Sequence, residues 1–191
     1  CKQLKEWNSM GFQTLNLAVN LSALQFQDKN LIDTVEQALT KHGIAIENFE
    51  LEITESSLME NMTHTIKTLN RLREFGLKLS LDDFGTGYSS LNYLKKFPIQ
   101  TLKIDRSFIS DLTRDKRDAK MVASIVALAH NLDLRVIGEG VEDREQLAML
   151  HQFGVDEVQG YLLGKPCCAV QATKLLQSNL DISDLIKPIS V

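Results

Sequence analysis

The chain has 191 residues, of which 43% are hydrophobic and 24% charged, a balance typical of a globular domain with a sizeable core. Its formal net charge of −4 excludes a broad basic surface that binds DNA or anionic lipid by charge alone. Its longest apolar runs, such as residues 44–46, are far shorter than the roughly 20 residues that cross a bilayer. We therefore expect one folded domain that contacts neither DNA nor membrane.

The cysteines and the first residues bear on the cellular compartment. Cys1, Cys167 and Cys168 cannot form a disulfide framework, which predicts a reducing, cytoplasmic environment. We interpret Cys167 and Cys168 as packing residues rather than redox groups. The first seven residues have the pattern of a charged amphipathic helix and not of a signal peptide. The chain is therefore expected to start inside an element, and a fuller protein could carry a membrane anchor before it.

Strand-like and helix-like patterns alternate along the whole chain. The predicted strands cover residues 15–20, 49–54, 79–83, 101–105, 134–139 and 157–159. The predicted helices cover residues 31–42, 63–75, 89–96, 119–131, 144–153 and 170–176. Gly43, Gly76 and Gly154 stand where a glycine commonly follows the last turn of a helix. Such alternation predicts parallel strands joined by crossover helices.

The faces of the predicted strands favour a barrel over an open sheet. Leu15, Leu17 and Val19 share one face of the first strand, and the following strands repeat an apolar face opposite a polar one. An open doubly wound sheet is covered by helices on both sides and needs two apolar faces. The sequence therefore predicts an α/β fold, a TIM-like (β/α) barrel that is incomplete, with about six of the eight βα units present.

Polar side chains stand at the carboxyl ends of the predicted strands, where barrel enzymes place their active sites. They are Asn20, Glu52, Asp82, Asp83, Lys103, Asp105, Glu139 and Gln159. Crowded carboxylates repel one another unless a cation lies among them, and oxygen ligands without clustered Cys or His suit Mg²⁺ or Mn²⁺ rather than zinc. The adjacent pair Asp82 and Asp83 favours two ions, the usual apparatus of phosphodiester hydrolysis. Lys103 would then orient the attacking water or meet the developing charge.

Simpler interpretations exist for single members of this set. An aspartate at a strand end commonly caps the following helix, which applies to Asp83 and Asp105. Lys103 and Glu139 are also compatible with a plain structural ion pair. The number of polar strand ends in register favours a functional site for the set as a whole.

Six stretches of the chain together resemble the EAL domain, the cyclic di-GMP phosphodiesterase module of bacterial signalling. In family order, they are residues 19–22 (VNLS), 51–56 (LEITES), 82–91 (DDFGTGYSSL), 102–105 (LKID), 139–142 (EGVE) and 159–161 (QGY). The resemblance implies a TIM-like barrel that cleaves cyclic di-GMP to linear pGpG with Mg²⁺ or Mn²⁺. It also implies a homodimer, and a sensory or GGDEF-type domain upstream in the full protein.

The resemblance further implies a role for each matching residue. The implied ligands of a two-metal site are Asn20, Glu52, Asp82, Asp83 and Glu139. Lys103, Glu139 and Glu55 are the implied catalytic residues, with Glu55 tying down the loop of residues 83–90. Gln159 and Asp105 are placed on the substrate side.

The sequence departs from the family pattern in its first part. The Glu-Ala-Leu motif that names the family, with its metal-ligand glutamate, does not occur in the chain. We therefore interpret residues 1–191 as an EAL-type domain lacking its N-terminal portion. Two other hypotheses stay open: an inactive, truncated module that binds cyclic di-GMP or a protein partner as a regulator, and an unrelated metal-dependent barrel enzyme.

Overall fold

The structure is a computed structural model that describes residues 1–58, 62–86 and 91–178. The chain forms two compact units, of which the first is Cys1–Thr101 and the second begins at Leu102. None of the helices in the described ranges has the length and apolar character needed to span a membrane.

The first unit contains three parallel strands, β1 (Leu17–Leu21), β2 (Phe49–Thr54) and β3 (Lys78–Phe84), which pair in chain order. Its helices are α1 (Lys2–Ser9), α2 (Ala23–Phe26), α3 (Leu31–His42), α4 (Glu55–Leu58), α5 (Met62–Glu74) and α6 (Leu91–Leu94), with a 3-10 turn at Ile46–Asn48. Each strand is therefore followed by helix, as the alternating pattern predicted.

The predicted apolar faces of β2 and β3 form the core of the first unit, whereas on β1 the prediction is wrong for Val19, which is 37% exposed. Leu79 and Leu81 of β3, together with Leu69 and Leu72 of α5, are each 0% exposed. Burying a leucine side chain contributes about 1.5–3 kcal/mol, so this layer holds the strands under their helices. The same packing holds in place the polar side chains on the opposite face of the strands.

Strand β4 (Thr101–Ile104) begins at the last residue of the first unit, and its other three residues belong to the second. In the sheet it is followed by β5 (Arg135–Glu139) and β6 (Glu157–Gln159). The helices of the second unit are α7 (Arg106–Ser110), α8 (Lys116–Asn131), α9 (Arg144–Phe153) and α10 (Ala169–Gln177). Strands β5 and β6 are parallel, with Glu139 opposite Gln159.

Asp156 ties the start of β6 to its neighbours. Its Oδ2 accepts a 2.7 Å hydrogen bond from the Val136 N–H of β5 and lies 3.0 Å from Nε2 of His130 in α8. Partial burial raises the pKa of Asp156, but the hydrogen bonds from His130 and Val136 outweigh it and hold the pKa below its ordinary value of 3.8. The carboxylate form is thus the one that the fold favours.

Most predicted elements are confirmed, and the differences are local. Strands β2 and β6 and helices α3 and α9 begin and end where the sequence predicts. The predicted helix at 89–96 is α6, and residues 89 and 90 lie outside the described residues. Helices α2, α4 and α7 were not predicted, because four or five residues carry too little periodicity. The prediction that Cys167 and Cys168 pack inside is wrong, since both thiols are exposed.

Candidate active site

The three strands of the first unit present oxygen-bearing side chains on one face. Asn20 lies opposite Glu52 in the β1–β2 register, and Thr54 lies opposite Asp82 in the β2–β3 register. Residues that pair across parallel strands share a face, and so do Glu52 and Thr54, which are two apart on β2. Asn20, Glu52 and Asp82 therefore lie on the same face, near the carboxyl ends of adjacent strands.

Asp83 gives the end of β3 a second carboxylate. Its backbone has φ 56°, in the left-handed region that residues other than glycine rarely adopt. Its N–H donates to Asp82 Oδ1 at 3.1 Å, and its carbonyl oxygen accepts from the Thr86 hydroxyl at 2.9 Å. Asp82 is 8% exposed, whereas Asp83 is half-buried. The turn thus holds two adjacent carboxylates in different environments.

Glu55, the residue that follows the neighbouring strand β2, restrains this turn. It begins α4 directly after β2, is 1% exposed, and its Oε2 accepts from the Gly85 N–H at 3.0 Å. A carboxylate this deeply buried is costly unless hydrogen-bonded, so the contact restrains both partners. Residues 83–86 are the described part of the loop that the resemblance assigns to Glu55, and residues 87–90 lie outside the described residues.

Lys103 and Glu139 form a close ion pair in the second unit. Lys103 is on β4 and Glu139 ends β5, and Nζ lies 2.7 Å from Oε1. The two side chains are 4% and 17% exposed, so water screens the pair weakly. A charged ammonium is thereby held at a fixed point beside a carboxylate, as both the catalytic and the structural interpretations require.

Asp105 and Gln159 occupy different settings. Oδ1 of Asp105 accepts from the Ser107 N–H at 3.0 Å and caps α7, which is the simpler interpretation that the sequence left open. Gln159 ends β6 with an exposed side chain, and its carbonyl oxygen accepts from the Val141 N–H at 3.1 Å. Of the two, Gln159 is the more exposed.

Comparison with known proteins supplies the family. The family model of the EAL domain matches residues 1–166. The chain belongs to the EAL domain family. The predicted family membership is thereby confirmed.

Three relatives illustrate what this EAL domain is similar to. The cyclic di-GMP phosphodiesterase NbdA of Pseudomonas aeruginosa is 46% identical over 87% of this chain and 21% of the relative. The bifunctional diguanylate cyclase/cyclic di-GMP phosphodiesterase MucR of the same species is 45% identical over 90% of this chain and 25% of its own length. The phosphodiesterase of MucR, solved in complex with c-di-GMP, matches with TM-score 0.86 over 90% of this chain and 70% of that chain.

BlrP1 of Klebsiella pneumoniae was solved with manganese and cyclic di-GMP. It is 29% identical, with TM-score 0.79, over 87% of this chain and 42% of that chain. The likeness to solved EAL domains, which are TIM-barrel-like, confirms the predicted α/β fold class, and the described residues supply six of its strands. The chain spans 21–25% of the length of the first curated relatives it matches.

Gln146, a buried residue of this EAL domain with several hydrogen bonds, was not singled out by the sequence analysis. Gln146 of α9 is 5% exposed and bonds to the segment that follows Glu139. The spacing Asp143-x-x-Gln146 at a helix start is a capping-box signal that the sequence did offer. No pattern in the sequence indicates the second contact that Gln146 makes, to the Ile109 carbonyl oxygen of α7.

Proposed function

We propose that this EAL domain chain hydrolyses cyclic di-GMP to linear pGpG in a reaction that requires a divalent cation. The observation that carries the proposal is the shared face of Asn20, Glu52 and Asp82, in a chain 45% identical to a phosphodiesterase solved with c-di-GMP. Strand ends of this kind hold the reacting groups in barrel enzymes. Membership of the family supports this reaction class, and we assign the reaction to these residues.

The side chains fit a hard divalent cation. Asn20, Glu52, Asp82 and Asp83 offer one amide and three carboxylate groups, the oxygen ligands that Mg²⁺ and Mn²⁺ prefer. We assign these four residues and Glu139 to a two-ion site for Mg²⁺ or Mn²⁺. Bound there, the cations supply charge neutralisation at the phosphate and a water of lowered pKa.

The remaining assigned residues orient the attacking water, hold the turn of Asp83 in place or contact the substrate. Lys103, held by Glu139, directs its ammonium at the attacking water or at the charge that develops on the phosphoryl oxygens. Glu55 keeps the turn of Asp83 in place, while Gln159 and Asp105 are assigned to the substrate side. The water oxygen bonds to phosphorus, one ring P–O bond breaks, and the leaving sugar oxygen takes a proton that the water gives up.

A regulatory module is the second candidate function. The sequence contains no Glu-Ala-Leu, so the glutamate that this motif supplies to the family site is not among the 191 residues. Such a chain would bind cyclic di-GMP or a protein partner without turnover. Where the ligand is cyclic di-GMP, the two candidates share the binding site and differ in the chemical step.

The wider setting is also a proposal. The longer relatives, including a bifunctional cyclase and phosphodiesterase, support a full protein with an upstream GGDEF-type or sensory domain. We assign the chain to a homodimer in the cytoplasm. The three free cysteines fit the reducing compartment that this location provides.

A pair of aspartates tests the metal-binding proposal with the backbone unchanged. Asp83 and Asp133 have nearly the same left-handed φ, 56° and 58°, a conformation that asparagine also tolerates. Asp83→Asn therefore removes a charge from the site, and Asp133→Asn removes one elsewhere. We expect Asp83→Asn to weaken Mn²⁺ binding in calorimetry at least tenfold and to lower turnover about 100-fold, and Asp133→Asn to change neither. Equal behaviour of the two variants would contradict the assignment.

A further inference from the structure

The segment that follows Glu139 is fixed to the end of β6 through its backbone. The Val141 N–H donates to the Gln159 carbonyl oxygen at 3.1 Å, and the Val141 carbonyl oxygen accepts from the Leu162 N–H at 3.0 Å. Gly160 approaches the same peptide group so closely that a Cβ there would overlap the Val141 backbone. Val141 therefore packs closely against the end of β6 and the residues that follow it.

The same segment also packs against the start of α7. Gly140 has φ 70°, and a Cβ on it would overlap the Cβ of Arg106, the first residue of that helix. Only glycine combines this backbone conformation with so close an approach. The segment thus contacts the helix that follows Lys103 and its strand.

The side chain of Gln146 provides a third and more specific connection. Its Oε1 accepts from the Glu142 N–H at 2.7 Å and from the Asp143 N–H at 3.3 Å. Its Nε2 donates to the Ile109 carbonyl oxygen of α7 at 3.2 Å. A buried amide with bonds in three directions determines the separation of the groups it joins.

We infer that Gln146 is a positioning residue for the Lys103–Glu139 pair. Strand β4 carries Lys103 and continues into α7, while β5 carries Glu139 and continues into residues 140–143. Gln146 joins α7 to residues 140–143, and so holds together the two connections that leave the paired strand ends. Its consequence for catalysis rests on the proposed function, whereas its consequence for the geometry of the pair does not.

A helix cap alone does not explain these contacts. Gln171 of α10 occupies the same capping-box position, with its Oε1 3.4 Å from the Cys168 backbone nitrogen. Gln171 is exposed, whereas Gln146 is buried and reaches a residue 37 positions away. The local role is common to both residues, and the link between two strand ends belongs to Gln146. Gln171 is therefore the matched control.

The test compares Gln146→Met, Gln146→Glu and Gln171→Met in the whole chain. Methionine keeps the volume of Gln146 and removes its hydrogen bonds; glutamate keeps the acceptor for Glu142 and removes the donor to Ile109. We expect Gln146→Met to raise amide hydrogen exchange at residues 140–143 at least tenfold, with α8 unchanged. We expect both Gln146 variants to lower kcat about tenfold with KM within twofold, and to broaden the NMR signal of the Lys103 ammonium. Gln171→Met should change none of these.

Results that contradict the inference can be distinguished from results that contradict the proposed function. A folded Gln146→Met chain with unchanged kcat and an unchanged Lys103 signal would show that Gln146 is only a helix cap. If the parent chain releases no pGpG, the proposed function fails, and the Lys103 ammonium signal alone then decides whether Gln146 positions the pair. If Gln146→Met does not fold, Gln146→Glu is judged by the same measurements.

Discussion

Removing the charge of Lys103 is the substitution whose effect on stability can be worked out most directly from the structure. At 2.7 Å, and with an effective dielectric constant of about 20, the attraction between Lys103 and Glu139 is about 6 kcal/mol. The desolvation of two nearly buried charges offsets most of this, so the net contribution of the intact pair is small. Lys103→Met leaves the Glu139 carboxylate, only 17% exposed, without this partner. We expect the free energy of unfolding to fall by about 3 kcal/mol.

A double-mutant cycle with Glu139→Gln measures the coupling. Urea unfolding of both single variants and of Lys103→Met/Glu139→Gln should give a double variant less destabilised than the sum of the singles, with a coupling energy of about 2 kcal/mol. Lys120→Met, at an exposed position of α8, is the control and should change stability by less than about 0.5 kcal/mol. Additive single variants would refute the buried pair. Turnover measured below the unfolding temperature should also fall about 100-fold in Lys103→Met.

Two further substitutions test contacts outside this pair. Glu55→Ala removes the acceptor of the Gly85 N–H and should lower the free energy of unfolding by about 2 kcal/mol and weaken Mn²⁺ binding, because the turn of Asp83 loosens; unchanged Mn²⁺ affinity would contradict the role of this contact. Asp156→Asn should cost about 1 kcal/mol at pH 7, a modest loss because the carboxylate is 38% exposed. Since the folded-state pKa of Asp156 is lowered, that stabilisation is present above the ordinary value of 3.8 and lost as the pH falls through the folded-state pKa. The difference in stability between the two proteins should therefore shrink as the pH falls below the ordinary value of 3.8, and a difference that stays constant down to acid unfolding would contradict the assigned cause.

The sequence predicted the architecture because periodicity and strand-end chemistry are local signals. Strand β2 alternates apolar and polar side chains over its whole length, so both its bounds and its faces follow from the order of residues. The same logic places Asn20, Glu52 and Asp82 on one face, since register follows once the apolar faces are buried together.

What the sequence did not reveal depends on contacts between distant positions. Gln146 and Ile109 are 37 residues apart, and no periodicity connects a side-chain amide to one particular carbonyl oxygen. Asp105 shows a different limit, because the same residue type at a strand end suits a helix cap and a ligand site, and the observed contact is the cap. The exposure of Cys167 and Cys168 likewise follows from where residues 164–168 run and not from their apolar character.

The release of pGpG tests the central claim most directly. The purified 191-residue chain is incubated with cyclic di-GMP and Mn²⁺, and the products are separated by chromatography while binding is followed by calorimetry. The account predicts linear pGpG as the product, formed with Mn²⁺ and abolished when a chelator removes the cation. Tight binding of cyclic di-GMP without any pGpG would contradict the enzymatic proposal and would identify the chain as a regulatory module.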